Sequence, residues 1–463
     1  MPKAKIQLII SEKPKAAEKI AQALSKDVKV KNLHGVNYFE LEKNGMKIYV
    51  APAVGHIFTL DQKIKKSGYP IFDIEWKPSA DVSDYSAFTK KYLQVLTKLS
   101  KEATELISAT DYDMEGSLIA GNIINHLGKG KPSKRMLFST LTSEDLLDAY
   151  SNLHPLDVSS ISAGETRHIM DYYWGINFSR ALMGAMKAGG RFKIMSIGRV
   201  QGPALAILAH KEREISVFVP QKYLEIHAFA KGTDFLHETG RFFDLEKGEA
   251  AFSDIVSKKS GKILSIERRK FKQLSPVPFD LTTLQVESYR NFGYSPTRTL
   301  QLAQSLYDDA IISYPRTSSQ KLPAKLGLKK IIELIGKNPT YSKFTSQLLS
   351  QNRVIPHEGE KTDSAHVSIY PTGQLPNKIG KEENNLYDLI VKRFLSVFAL
   401  EAKRESMKVK MEIGSHAFAT DGTRTIEEGW FAFYRPYLHL EEIILPEFKE
   451  GETVSIERAE KQE

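Results

Sequence analysis

The tightest constraint on the fold is a strand–turn–helix pattern that occurs twice near the N-terminus. Lys5-Ile6-Gln7-Leu8-Ile9-Ile10 is an apolar run of strand length, and it passes through Ser11-Glu12-Lys13-Pro14-Lys15 into helical spacing from Ala16 to Leu24. Glu105-Leu106-Ile107-Ser108-Ala109-Thr110 repeats the strand, Asp111-Tyr112-Asp113-Met114-Glu115-Gly116 the turn, and Leu118 to Leu127 the helix. Ile48 to Ala51 and Ile57-Phe58 add strand-like pieces, and Tyr85 to Leu99 carries apolar residues near helical spacing. Strands that alternate with helices are buried on both faces, so residues 1–154 are predicted to form an α/β domain on a mainly parallel sheet. Such sheets bind ligands beyond the carboxyl ends of their strands, where Glu12 and Asp111 fall.

The pattern then changes. Residues 155–215 read as helix, in a run from Ala163 to Ala185 and another from Gly198 to Glu214, joined by Gly189-Gly190 and the basic connector Arg191-Phe192-Lys193. After Pro220, Tyr223 to Ala230 and Lys262 to Phe271 read as half-buried strands around a short helix from Gly248 to Lys258. Helical spacing returns at Leu281–Asn291, Ser295–Asp309, Gly327–Leu349 and Leu386–Ala402, and strands at Ser406–Glu412 and His416–Ala419. The predicted organisation is four-part: α/β over 1–154, helical over 155–215, one β-rich domain built from 216–275 and 403–463, and a helical domain inserted at 276–402.

Two motifs carry chemistry. In Ile311-Ile312-Ser313-Tyr314-Pro315-Arg316-Thr317-Ser318-Ser319 a tyrosine closes an apolar run where Pro315 must interrupt regular structure, so its ring is expected to project from an element end. A phenolic oxygen is a possible nucleophile, and the planar fork of Arg316 suits the oxygens of a phosphate under attack. The plain alternative is a surface tyrosine in a proline turn. In the second motif, Asp111 and Asp113 lie two apart, point the same way in extended chain, and have Glu115 close by. Three carboxylates at that spacing repel unless a cation neutralises them, and oxygen ligands with no His or Cys near them in sequence suit magnesium. An acidic first turn that complements a helix dipole explains one such residue more readily than three.

With Glu12 beyond the first strand, Asp111-x-Asp113-x-Glu115-Gly116 resembles the toprim fold of topoisomerases, primases and related nucleases, and Ser313-Tyr314-Pro315-Arg316-Thr317 resembles the active-site tyrosine motif of type IA DNA topoisomerases. Arg167-x-x-x-Asp171 with Gly175-Ile176-Asn177, Ser196-Ile197-Gly198-Arg199-Val200-Gln201, and His366 before Pro371-Thr372 resemble three further motifs of that family, in the family's order. The wording is closest to topoisomerase III and archaeal enzymes. The resemblance implies a toroidal type IA core: a toprim domain, a helical body, a β-rich arch and an inserted helical domain carrying Tyr314, around a hole large enough for DNA. It implies an ATP-independent topoisomerase that cuts one DNA strand through a 5′-phosphotyrosyl link, passes another strand and religates, relaxing negative supercoils.

By the same resemblance Tyr314 is the nucleophile, Arg316 steadies the phosphoryl charge, Glu12 is the acid and base at the leaving oxygen, Lys13 supplies positive charge, and His366 contacts the phosphate. Asp111 and Asp113 hold Mg2+, with Glu115 or Glu12 completing the set. Arg167, Asp171, Ser196, Gly198, Arg199 and Gln201 line a single-strand groove, and Gln304 and Asp308 lie on the helix that leads to Tyr314. A solvated helix N-terminus is the alternative for Lys13 and Lys15. Asp308 stands where many relatives have glutamate, Ser313 where many have threonine, Ser318 replaces a common aspartate, and Gly202 a common serine or threonine.

Composition agrees with a nucleic-acid partner. Lys plus Arg is 65 against 56 for Asp plus Glu, a net charge of +9. Cysteine is absent, which excludes disulfides, a thiol nucleophile and Cys-based zinc sites. No apolar run of about 18 residues and no leader-like N-terminus appear, so a cytoplasmic, nucleoid-associated protein without a membrane partner is expected. No Gly-x-x-x-x-Gly-Lys-Ser/Thr loop is present, so ATP hydrolysis would need a helicase partner. Alternative readings are a toprim nuclease or primase without a tyrosyl intermediate, or the topoisomerase subunit of a split reverse gyrase. Relatives continue beyond the arch with more of the body and often zinc-binding cysteine clusters, so apolar surface around Leu205, Ile207 and Leu208 is expected to need covering: either a second polypeptide completes the body, or the chain is a truncated core.

Overall fold

The computed structural model describes residues 5–191, 193–351 and 354–463, so Phe192 of the basic connector lies outside the described residues. The chain divides into two compact units. One holds the residues up to Glu212 with Phe279–Ile335 and Glu360–Ile390; the other holds Arg213–Pro278, Gly336–Gly359 and Val391–Glu463. Residues 276–402 are thus shared between the two.

The first unit opens with β1 (Ile6–Ser11) and α1 (Pro14–Leu24). β1 is buried from Gln7 to Ser11, as a strand covered on both faces must be. α1 starts on Pro14, whose missing N–H costs nothing in a first turn, and buries Ala16, Ala17, Ile20, Ala21 and Leu24 along one stripe. Then come β2 (Lys29–Leu33), β3 (Val36–Lys43), β4 (Met46–Pro52), β5 (Phe58–Gln62) and β6 (Ile74–Pro78), followed by α2 (Ser79–Val82), α3 (Thr89–Glu102), β7 (Glu105–Ala109), α4 (Met114–Leu127), β8 (Ser133–Arg135) and α5 (Ser143–Ser151). Six strands form a sheet in the order β2-β3-β4-β1-β7-β8. β4, β1, β7 and β8 run parallel, whereas β2, β3 and β4 form an antiparallel meander. The sheet is therefore mixed. The β2 edge escaped the sequence reading because Lys29–Leu33 is largely exposed and has no apolar period.

The sheet's core packs Leu8, Ile10, Tyr49 and Leu106 against Leu96, Leu99, Ile119 and Ile123 of the flanking helices. β1 and β7 are neighbours, with Ser11 opposite Ala109, so the chain leaves both strands side by side at their carboxyl ends. Glu12 and Asp111 are brought together by this register, at the crevice where open sheets place ligands.

α6 (Val158–Ala188) and α7 (Gln201–Ser216) follow. Leu205, Ile207 and Leu208 on α7 are 64%, 71% and 63% exposed.

The second unit is built on an antiparallel sheet. β9 (Leu224–Ala230), β10 (Thr233–Phe242), α8 (Leu245–Val256) and β11 (Ser260–Gln273) come from one stretch of sequence. Lys231 and Gly232 both have positive φ and close the tight β9–β10 hairpin, a turn the sequence reading missed along with β10. The chain then forms α9 (Leu281–Phe292), α10 (Pro296–Asp308), α11 (Leu328–Ile335), α12 (Pro339–Leu349) and α13 (Lys381–Ser396). α11 and α12 replace one expected helix because Asn338 and Pro339 start a new one. The second stretch supplies β12 (Ala402–Ile413), β13 (His416–Glu427), β14 (Thr453–Ser455) and β15 (Arg458–Gln462). The seven strands run β14-β11-β12-β13-β10-β9-β15, and β11 pairs with β12 along its length. Two sequence segments far apart thus make one sheet around Phe235, Ile263, Val409 and Phe418.

Candidate active site

Lys13 is the N-cap of α1 and lies among carboxylates. Its Nζ is 3.3 Å from Asp111 Oδ2, 3.6 Å from Asp308 Oδ1 and 3.8 Å from Glu12 Oε1. Lys15, the other lysine of the turn, makes a more exposed pair with Asp309 at 2.9 Å. The solvated alternative therefore describes Lys15 and not Lys13.

Asp111 and Asp113 sit in a tight turn rather than an extended run: the Asp113 N–H donates to the Asp111 carbonyl at 2.9 Å. Asp113 then caps α4, its Oδ1 accepting from Gly116 N at 2.7 Å. The turn admits only glycine at Gly116, because a Cβ there would lie 2.1 Å from the Asp111 carbonyl oxygen. Arg135, 1% exposed at the end of β8, braces it from behind, donating to the Asp111 carbonyl (2.9 Å) and to Ser117 Oγ (3.0 Å), with the Tyr112 ring 5.2 Å away.

Tyr314 closes the site. Its segment lies outside regular elements, pinned by the Ile312–Pro371 bridge and by its own N–H donating to the Ser139 carbonyl at 2.9 Å. The ring does not project from an element end as the sequence suggested; it is 2% exposed, packed against Tyr307 at 5.2 Å and His366 at 4.6 Å between centroids. Its hydroxyl donates to Asp113 Oδ2. Tyr307 likewise donates to Asp111 Oδ1 at 3.4 Å, so each aspartate receives one phenol. His366 is held between Ser139 Oγ (3.1 Å) and the Tyr112 carbonyl (2.8 Å), which requires the proton on Nε2. Gln304 donates to Asp308 at 2.9 Å, which ties Asp308 into the Lys13 cluster. Arg316 is exposed and makes no ion pair among the described residues.

The other expected groove residues form a separate chain of charges. Arg167 Nη1 reaches Glu115 Oε1 at 3.4 Å and its Nε lies 3.9 Å from Asp171, which accepts from Arg199 Nε at 2.7 Å. Ser196 and Gln201 are exposed, and a side chain at Gly198 would meet only Gln201, at ordinary contact distance. Glu115 also keeps other company than the two aspartates. Its Oε2 is 2.9 Å from Nε2 of both His56 and His168, so histidines absent from the local sequence surround it in the fold.

Burial and crowding set the protonation states. Burial, then the charges of Asp111 and Asp113, push the Glu12 carboxyl up to about 8 despite Lys13. Burial and Asp113 also raise Asp111. Burial raises the Tyr314 phenol far above its ordinary range, helped by Asp111 and Asp113. Lys13 is raised: its carboxylate neighbours outweigh the burial that would lower it. Burial keeps His366 low, and so neutral. For Glu115 burial opposes ionisation, but hydrogen bonds from His168 and His56 win and lower it. A buried acid that is protonated at neutral pH, beside a phenol and a fixed ammonium, is equipped for proton transfer at a leaving oxygen.

Residues 155–463 match the DNA topoisomerase family model, a stretch that includes the Tyr314 segment. The chain belongs to the type IA DNA topoisomerase family. Residues 7–141 match the Toprim domain. The chain is 44% identical to DNA topoisomerase 1 of Pyrococcus horikoshii over 97% of its own length and 67% of that protein. It is 43% identical to DNA topoisomerase 1 of Methanocaldococcus jannaschii, covering 97% and 59% respectively. It is 30% identical to DNA topoisomerase 3 of Bacillus cereus, covering 97% and 63%. The chain thus spans about two thirds or less of the length of these relatives. Its fold is that of full-length topoisomerase I from Thermotoga maritima, with a TM-score of 0.72 at 24% identity over 98% of this chain and 71% of that one. No helix among the described residues is long and apolar enough to cross a membrane.

Arg135, Tyr307, His56 and Ser139 were not found by sequence reasoning. Tyr307 stands one residue before Asp308 on a helix already singled out, which was a usable signal. Arg135 ends a strand of three residues and gave none.

Proposed function

We propose that this chain cuts and rejoins a single strand of DNA through a tyrosyl ester at Tyr314, without ATP, in the service of relaxing negatively supercoiled DNA. The observation that carries this reading is the hydrogen bond from the Tyr314 hydroxyl to Asp113, inside a cluster that also holds Glu12, Lys13 and Asp111. The phenol is too weak an acid there to exist as a standing phenolate, so its proton leaves as the oxygen attacks, toward Asp113. The new bond joins the tyrosyl oxygen to phosphorus, the bond to the 3′ oxygen breaks, and protonated Glu12 gives that oxygen its proton. Rejoining reverses both transfers. The phosphate ester is exchanged rather than hydrolysed, so no nucleotide is consumed.

Lys13 keeps positive charge beside the leaving oxygen, and Arg316 reaches the phosphoryl oxygens from its exposed position. Tyr314 is sealed in this conformation, so strand entry requires its segment to part from the Ser139 carbonyl and the neighbouring His366 to release the Tyr112 carbonyl. Asp111 and Asp113 are the oxygen donors that would hold a magnesium ion, and Asp111 already draws the Lys13 ammonium to 3.3 Å. An ion held there would supply positive charge to the phosphate. Arg167, Asp171, Ser196, Gly198, Arg199 and Gln201 form the approach for the single strand.

The test uses one single-stranded oligonucleotide labelled at either end, incubated with the chain, denatured and digested with protease. A 3′ label that stays on a Tyr314 peptide, with the 5′ label released, is the expected result. Cleavage with no label on any peptide would establish a nuclease instead.

A further inference from the structure

A cluster of three potential metal ligands lies apart from the Tyr314 hydroxyl. His56 follows β4, Glu115 stands in the first turn of α4 and His168 lies on α6. Among the described residues these form the one group of three potential metal ligands whose donor atoms all fall within 4.8 Å of each other. Each imidazole Nε2 is 2.9 Å from the same Glu115 oxygen, Oε2. Two ligand atoms about 2.1 Å from a common ion and at right angles are about 3.0 Å apart, so the spacing is that of neighbouring positions in a coordination sphere. The imidazole rings are 4.9 Å apart and tilted by 44°, so they converge on the carboxylate rather than stack. The three side chains are 30%, 26% and 31% exposed, which leaves a route in from solvent.

We propose that His56, Glu115 and His168 form a binding site for one divalent first-row transition ion, distinct from the carboxylate set beside Tyr314. Two imidazoles and one carboxylate select such an ion over magnesium, which prefers oxygen donors. Three protein ligands leave positions open to water or a phosphate oxygen. The ion would clamp the start of α4 to α6 and to the loop after β4. It would also hold Glu115 clear of the Asp111–Asp113 turn and leave Arg167 on the other carboxylate oxygen, where it now lies. This inference stands independently of the tyrosyl chemistry proposed above.

The test takes the full, tag-free chain, stripped with chelator and titrated with Mn2+ or Zn2+ by calorimetry, followed by pulsed EPR of the Mn2+-loaded protein. One ion per chain is expected, retained in excess Mg2+, with nitrogen couplings from bound imidazole. His56→Ala and His168→Ala should each lose the tightly bound ion, while Asp111→Asn/Asp113→Asn should keep it. Because the nitrogen couplings are read on the unsubstituted chain, unfolding of a histidine variant leaves the answer intact. No stoichiometric ion, an ion without nitrogen coupling, or an ion lost in the aspartate variant would each overturn the site and leave the three residues as a hydrogen-bonded network.

Discussion

Replacing Glu12 with glutamine should stabilise the folded chain while stopping strand cleavage. The folded carboxyl titrates at about 8 against 4.5 for the free group, because burial and the charges of Asp111 and Asp113 oppose ionisation. The folded value is the higher one, so the residue's contribution to stability is fully present below about pH 4.5 and is lost as the pH rises through about 8. The gap is about 3.5 on the pH scale, and at about 1.36 kcal/mol for each, ionised Glu12 costs the fold at most about 5 kcal/mol. At pH 7 the unfolded chain has ionised and the folded one has not, which sets the cost at about 3 kcal/mol. Glutamine keeps the size and removes the charge. Urea unfolding in chelator, followed from about pH 5 to pH 9, should show Glu12→Gln gaining on the parent as pH rises, by about 3 kcal/mol at neutrality. Single-strand cleavage by the parent should fall above about pH 8 as the acid loses its proton, and should be lost in the variant. An unchanged pH slope of stability, or cleavage that survives in Glu12→Gln, would refute the assignment of Glu12 as a buried acid.

Tyr314→Phe deletes one oxygen and should abolish denaturant-resistant DNA adducts, with a stability change of no more than about 1–2 kcal/mol from the lost bond to Asp113; adduct on a gel would contradict this. Asp111→Asn/Asp113→Asn should cleave slowly, because an amide at position 113 cannot take the Tyr314 proton, and should religate poorly at low magnesium; normal religation there would remove the proposed ion from this pair. Gly116→Ala should cost about 1–3 kcal/mol and impair religation, since its Cβ would press on the Asp111 carbonyl; thermal unfolding and religation rate test both. Asp280 caps α9 and also accepts from Gln320 and Lys361. Burial would raise its carboxyl, but Thr283 and Lys361 outweigh that and hold it low. Its contribution is therefore present above the ordinary carboxylate range and lost as pH falls through the folded value, so Asp280→Asn should flatten the acid limb of the stability profile.

The sequence alone determined what depends on local order. The apolar runs before Glu12 and Asp111 specify strands, the spacing after them specifies helices, and Pro315 keeps Tyr314 out of regular structure. The spacing of Asp111, Asp113 and Gly116 also identified the acidic turn, because a cap and a glycine close approach act within a few residues. Only the tertiary structure decided which of these groups share an environment. The register of β1 with β7 sets Glu12 beside Asp111, and the docking of Tyr314 against the Ser139 carbonyl turns its hydroxyl onto Asp113. Arg135 became visible only as the buried brace of the turn, and Glu115 was drawn to His56 and His168 from 59 positions before it and 53 after. Charge interactions act through space and grow as water is excluded, so which carboxylate carries a proton is a property of packing, and no local pattern encodes it.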